Sequence, residues 1–527
     1  MKRTWSTLFV AMFWILPSAS RAEHVAVRLP WPATQTAAAQ PEVLSATLGS
    51  GTPVTRREPV SEMELVVAGQ DAEGRERYRV VVADPAQVRG EIFDAVTGEL
   101  ARRSDVTLDV DELRLDLPLD TSVRRLALYR PRFEGETYRL EPIAEFALGE
   151  PTAAVPSQQA EAIGAETLLA NGSPSNRVDL VFVGDGYTAA ELDKYAQDVQ
   201  NVLSGYLGIS PYASYAGYFN AYRVDVVSNE SGADHPERGE FRDTALDSRY
   251  ACDGNFKDPR LLCASSAKAQ AAAAAALPDP AQRDIVLVVV NDAQYGGSGG
   301  PTPVISTDPS AVFLALHEIG HSFGLLADEY TDQPPPCNLS EPLEANSTTV
   351  VDRARIKWAH WIDASTLVPT PPGFGGTPGL YEGSRYCPTG MYRPTPTSMM
   401  KVLGEPFFAI NEEQLVKRLY AYTFPVDATL PPAGGSYTPA PGQNMKFILS
   451  TPPGNNLRVD WYLNSSFRVS GKGYTVPYSQ LIPGQINILY ADVYDVTGRV
   501  RNDPGHVTQT TLTWYIDLNF LESQPAE

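Results

Sequence analysis

The chain has 527 residues, with 63 acidic against 42 basic side chains and a formal net charge of −21. That balance argues against nucleic acid or an anionic membrane as the main partner and mostly reports solubility. Forty-four prolines, 40 glycines and 25 tyrosines describe a loop-rich, β-leaning globular chain, long enough for two to four domains.

Residues 1–22 have the pattern of a secretory signal: Lys2 and Arg3 first, an apolar run from Trp5 to Leu16, and a small-residue exit at Ser20-Arg21-Ala22. The run is too short to span a membrane, and no other stretch comes close. The expected destination is therefore outside the cytoplasm, extracellular or periplasmic.

Residues 23–150 read as an accessory β-rich domain. Arg77 to Val82 and Arg124 to Tyr129 have strand patterns, and Gly90-Glu91-Ile92-Phe93-Asp94-Ala95 is a strand followed by a turn at Thr97-Gly98. Nothing in this region marks a catalytic group, and prosegment, folding aid and substrate-binding module stay open as its role. From 151 to 176 the composition shifts to Pro, Ala, Ser and Gln, which predicts a linker.

A third region, 177–425, alternates strand and helix. Arg177 to Val183 is a buried-type strand, Thr188 to Leu207 a helix, Tyr222 to Val227 a strand, 266–276 an alanine-rich helix and Asp284 to Val290 another strand, an order that predicts an α/β fold. Tyr295-Gly296-Gly297-Ser298-Gly299-Gly300 follows directly. It is either an edge strand open to an extended peptide or a flexible loop without substrate contact.

Next comes His317-Glu318-Ile319-Gly320-His321, entered from an apolar run at helical spacing after Thr307-Asp308-Pro309, a predicted helix start. Two histidines four apart share one helix face, where both imidazoles can bind Zn²⁺, and Glu318 is placed to take a proton from metal-bound water. The motif predicts metalloprotease chemistry, with Glu318 as catalytic base and His317 and His321 as metal ligands.

A third ligand must come from elsewhere. On a continuing helix Asp328 would lie about 10 Å beyond His321. A turn at Gly324, taking positive φ, would bring the chain back to the metal. Asp328 is the preferred donor, Glu329 the next, and the distant His360, inside Lys357-Trp358-Ala359-His360-Trp361, a further alternative. Of the four cysteines, the favoured pairings in an oxidising compartment are Cys252 with Cys263 and Cys337 with Cys387.

The segment from His317 to Tyr330, together with Gly390-Met391-Tyr392-Arg393-Pro394-Thr395, Ser398-Met399-Met400 and the run from Pro406 to Glu413, resembles the IgA-peptidase-like zinc metallopeptidases, the igalysin branch of the metzincins. The resemblance covers roughly 175–425. It implies a metzincin-like catalytic domain with a twisted sheet, an active-site helix and a methionine turn at Met399 or Met400. Two departures stand out: position 327, where the long metzincin motif has a histidine, is Ala327, and no tyrosine follows either methionine by two residues.

Leu415 to Tyr422 predicts a closing helix, 426–441 a Pro/Gly linker, and 442–527 an immunoglobulin-like β-sandwich of short alternating strands. The expected whole is a multidomain α/β plus β protein: a metzincin-like domain flanked by two β domains. Its expected activity is that of a secreted zinc endopeptidase acting on protein or peptide substrates. The alternatives are a zinc amidase or deacetylase acting on cell-wall or glycan material, and a non-enzymatic surface-binding protein.

Overall fold

The computed structural model describes residues 23–31, 41–134, 137–153, 162–254, 258–333, 337, 339–373 and 378–519. The signal-like segment 1–22 lies outside the described residues. Among the described residues strands dominate, four α-helices are present, and no helix is long and apolar enough to cross a membrane.

The N-terminal region packs two four-stranded sheets face to face. One contains His24–Pro30, Ser45–Gly49 and Glu112–Pro118, the other Glu64–Gln70, Glu76–Ala83, Arg125–Glu134 and Thr137–Ala147. Period-two patterning drives the pairing: Val25, Val27 and Leu29 of one strand and Leu113, Leu115 and Leu117 of its neighbour all point into a common core with Leu65, Val67, Leu126 and Leu128. Between Ala83 and Glu112 the chain leaves this core as two small paired pieces, Gln87–Val88 with Val106–Thr107 and Glu91–Phe93 with Leu100–Arg103. Gly98, at φ 70°, makes the turn between the latter two.

The central sheet has six strands. Val178–Asp185 and Ile285–Val290 lie at its middle, buried at every position, as expected of parallel strands covered on both faces. Phe219–Val226 and Val304–Ile305 extend it in parallel, and antiparallel strands close both edges. One edge is Ala162–Leu169; the other is Gly297–Ser298. Helices α1 (Leu192–Gly208), α3 (Ala311–Ser322) and α4 (Phe408–Tyr422) share one core with the sheet, and the alanine-rich α2 (Ser266–Ala276) packs into a second.

The span 151–176, expected as a linker, instead contributes strand Ala162–Leu169 to the edge of the central sheet, where Gly164 to Thr167 are exposed and Leu168 and Leu169 pack against the core. Similarly, 426–441 is not free connection, since Ala428–Leu430 and Ser436–Tyr437 pair into the C-terminal sheets. Those sheets, of three and five strands, enclose Phe447, Trp461 and Trp514, whose indole centroids lie 5.3 Å apart.

A two-pronged ion pair joins this sandwich to the central region. Arg177, with a fully buried side chain, donates from Nη1 and Nη2 to the two Asp427 carboxylate oxygens at 2.8 and 2.9 Å. Removing one partner of a buried pair strands the other. Asp427→Ala is therefore expected to lower unfolding stability by about 3 kcal/mol, the low end for such pairs because Asp427 is partly exposed; the midpoint of chemical denaturation measures it.

Candidate metal centre

Helix α3 begins at Ala311, later than the Thr307-Asp308-Pro309 signal predicts, because Asp308 Oδ1 accepts from the Ser310 backbone N–H and shapes a turn first. Its apolar residues Ala315, Leu316 and Ile319 join the main core. Gly320 lies so near Met400 that a Cβ there would stand 2.7 Å from the thioether sulfur, which seats the helix directly on that residue.

The helix ends at Ser322 and the chain turns back, as a third donor requires, but the left-handed residue is Leu325, at φ 56°, and not Gly324. Gly324 is needed for a different reason: a Cβ there would meet the Gly320 carbonyl at 2.5 Å and Leu415 at 2.6 Å. Beyond the turn Asn346 holds the chain extended, accepting from Ala327 N–H and donating to Ala327 C=O. Neighbouring side chains of an extended segment point opposite ways. Asp328 therefore faces the two histidines while Glu329 faces away, accepting from Asn346, Asn411 and Ser398 at 2.7–2.9 Å. Burial raises the Glu329 carboxyl above its usual range, against those three donors.

His317 Nε2 and His321 Nε2 are 3.1 Å apart, and Asp328 Oδ1 lies 3.2 Å from the first and 3.0 Å from the second. Each ring is oriented from behind. His317 Nδ1–H donates to the Met399 carbonyl at 2.9 Å and His321 Nδ1–H to the Leu326 carbonyl at 2.7 Å. A carbonyl can only accept, so the neutral rings are forced to present bare Nε2 lone pairs to one another. Tyr386 donates to Asp328 Oδ2 at 2.6 Å, which leaves Oδ1 without a hydrogen-bond partner and aimed at the same point. Such a set of buried, converging electron-rich atoms fits a cation.

A fourth residue, a second carboxylate, completes the group, and the sequence had not marked it. Glu91, from the N-terminal region, places Oε2 2.8 Å from His317 Nε2, while its Oε1 accepts from the Tyr330 hydroxyl at 2.6 Å. One donor atom from each of Glu91, His317, His321 and Asp328 lies within 4.8 Å of the others, and all four residues are buried. Glu91 falls in a stretch whose strand and turn were legible, but a single glutamate in a strand has no spacing that reveals a partner 226 residues away.

Glu318 is buried beside the group with neither carboxylate oxygen hydrogen-bonded. Burial, then the Glu91 charge, raises its pKa well above the usual carboxyl range. Burial also opposes charge on His317, yet Glu91 and Asp328 outweigh it and raise that ring's pKa; His321 is lowered, by burial first and then by Arg89. Burial is outweighed at Asp328 too, where the two histidines hold the carboxylate well below its usual range. A cleft of about 390 Å³ reaches Glu318 and His321 and is walled on the other side by Arg56, Met63 and Arg89.

His360 is remote from this group. It contacts Glu413 at 2.8 Å, which makes it a structural partner of α4. Cys252 and Cys263 form a disulfide, whereas Cys337 and Cys387 stand as neighbouring free thiols, so the second expected pairing is not formed. Burial and the Cys337 thiol push Cys387 up to about 12.

The glycine-rich stretch is ordered, not a loose loop. Gly297–Ser298 is the sheet edge, and a Cβ on Gly299 would stand 1.8 Å from Glu318 Oε2, so only glycine leaves room for that carboxylate.

An α/β domain carrying a buried His, His, Asp and Glu cluster defines a candidate metalloprotein. Residues 167–375 match the family model described as IgA Peptidase M64, so this region of the chain is similar to the IgA-peptidase-like metallopeptidases and supports that resemblance. No curated protein matches it. Glu91, Tyr386 and Met399-Met400 all lie outside the matched span.

Proposed function

We propose that the protein is an exported zinc endopeptidase with a metzincin-like catalytic domain. The observation that carries this reading is the convergence of two bare imidazole nitrogens and a free carboxylate oxygen beside a buried, unpartnered glutamate. Two imidazoles and a carboxylate are a zinc donor set, and three protein donors are the number used by catalytic zinc.

In this reading His317, His321 and Asp328 hold the metal, with Met399 and Met400 as the methionine turn: the first orients His317 through its carbonyl and the second supports the helix at Gly320. A bound zinc ion supplies Lewis acidity, acidifying water and polarising the scissile carbonyl. Glu318 takes the proton of the attacking water and returns it to the leaving amine, which its position beside the cluster and its freedom from other hydrogen bonds permit. An extended substrate would pair through its main chain with Gly299, just past the edge strand Gly297–Ser298 and in the place Arg89 takes, so sequence tolerance is expected. Burial of the site excludes bulk water and strengthens each of these interactions.

Export rests on the amino-terminal signal pattern and on the Cys252–Cys263 disulfide, which suits an oxidising compartment. The C-terminal two-sheet sandwich is read as immunoglobulin-like, with a stabilising role through Arg177–Asp427 and through Tyr215 and Tyr420, both of which donate to Asp495.

The test is cleavage of casein, an unstructured protein, by the zinc-loaded full-length chain, with and without a chelator. About one zinc per chain and a low rate of cleavage that stops on chelation and returns with zinc are expected. Cleavage indifferent to chelation, or a chain that takes up no metal, would refute the reading.

A further inference from the structure

We propose that Glu91 is a fourth, removable donor to the metal centre, and that the excursion of chain carrying it keeps the peptidase latent. This rests on the peptidase reading above and assigns a regulation to the same site.

Three observations converge on it. The first is the donor geometry: Glu91 Oε2 stands 2.8 Å from His317 Nε2, and Tyr330 fixes the other oxygen so that Oε2 alone faces the cluster. Catalytic zinc keeps a position open for water and substrate, whereas a site with four protein donors is closed. With Glu91 in place, the His317, His321 and Asp328 site has its fourth donor.

The second is the backbone beside it. Arg89 exchanges both main-chain hydrogen bonds with Gly299, N–H to O at 3.1 Å and O to N–H at 3.0 Å, so the segment lengthens the sheet past its edge strand in antiparallel sense. That is the place and pairing mode an extended substrate needs. The glycine stretch is thus occupied, in cis, by the protein's own chain.

The third is where the segment comes from and how it is held. Residues between Ala83 and Glu112 leave both N-terminal sheets and contribute little to their core, so the excursion is not needed to build that domain. Its side chains instead dock on the catalytic region. Phe93, fully buried, packs edge-on against the His317 ring at 5.1 Å; Arg103 lies 3.6 Å over the Tyr386 ring, whose hydroxyl holds Asp328; Arg102 pairs with Asp258 at 3.1 Å. On the far side of the site the Gly98 carbonyl accepts from the Leu403 backbone, just past the methionine pair. The segment spans the site from edge strand to methionine turn, and activation requires its displacement.

The experiment uses the full-length chain and its Glu91→Ala and Glu91→Gln variants, the second keeping the side chain's size should the first fail to fold. Each is loaded with zinc for casein cleavage and zinc affinity, and with Co²⁺ for its visible absorption. Loss of a donor and opening of the cleft act in opposite directions: zinc affinity should fall by about 10-fold or more, the Co²⁺ spectrum should shift, and cleavage should rise by about 10-fold or more. Unchanged affinity and spectrum would overturn Glu91 as a donor, and a parent chain that already cleaves as fast as both variants would overturn latency. A shifted spectrum with one zinc per chain but no cleavage by any variant would refute the peptidase reading and leave Glu91 as the fourth donor.

Discussion

Glu318→Gln is expected to lower casein cleavage by roughly 10²–10⁴-fold while leaving zinc content unchanged, in the parent chain and equally in Glu91→Ala. The amide keeps the size of the carboxylate but cannot accept a proton. Glu318 is not among the four converging donors, so the metal should stay. Its oxygens hold no other group in place, so the fold should stay as well. Single-turnover cleavage together with metal analysis separates the outcomes: zinc lost along with activity would assign Glu318 to metal binding, and cleavage at the parental rate would remove it from the chemistry.

Asp328→Ala is expected to have the largest effect on the metal itself. Partners behind a ligand typically contribute 10–100-fold in metal affinity, which sets the expectation of roughly that loss for Tyr386→Phe. Asp328 places an oxygen about equally close to both imidazoles, so its removal should exceed that range and abolish cleavage. Competition with a chromophoric chelator measures both variants. Equal affinity in parent and Asp328→Ala would return the third ligand to the remaining candidates. Glu329 is the weaker of these because Asn346, Asn411 and Ser398 already hold both of its oxygens.

These expectations also indicate which features of the site could be read from residues alone. His317, Glu318 and His321 were legible because four-residue helical spacing fixes the relative direction of side chains without any knowledge of the rest of the chain. Asp328 was legible as a preference only. Its approach depends on a reversal whose left-handed residue is Leu325, a poor candidate by intrinsic propensity, stabilised by Leu325 and Leu326 N–H bonds to His321 and Gly320. Its separation from Glu329 depends on Asn346 clamping Ala327, a side-chain contact with no sequence signature.

The strand at Glu91 and the turn at Gly98 are likewise legible, but only as local structure. Edge strands were the least legible: Ala162–Leu169 and Ala428–Leu430 lack a strong apolar alternation, and it is pairing with a neighbour that makes them strands.

Residue order suffices for the local chemistry: an apolar helix carrying two histidines and a glutamate, all-buried parallel strands at Val178–Asp185 and Ile285–Val290, and acidic, loop-rich surroundings. Periodicity and spacing act within a few residues, and these features need nothing more. The tertiary structure alone decided which acid completes the cluster, which backbone occupies the edge at Gly299, and that a domain with no catalytic signature delivers Glu91 into the site. Those outcomes are contacts between residues tens to hundreds of positions apart, and such contacts are fixed only when the packed cores bring their elements together.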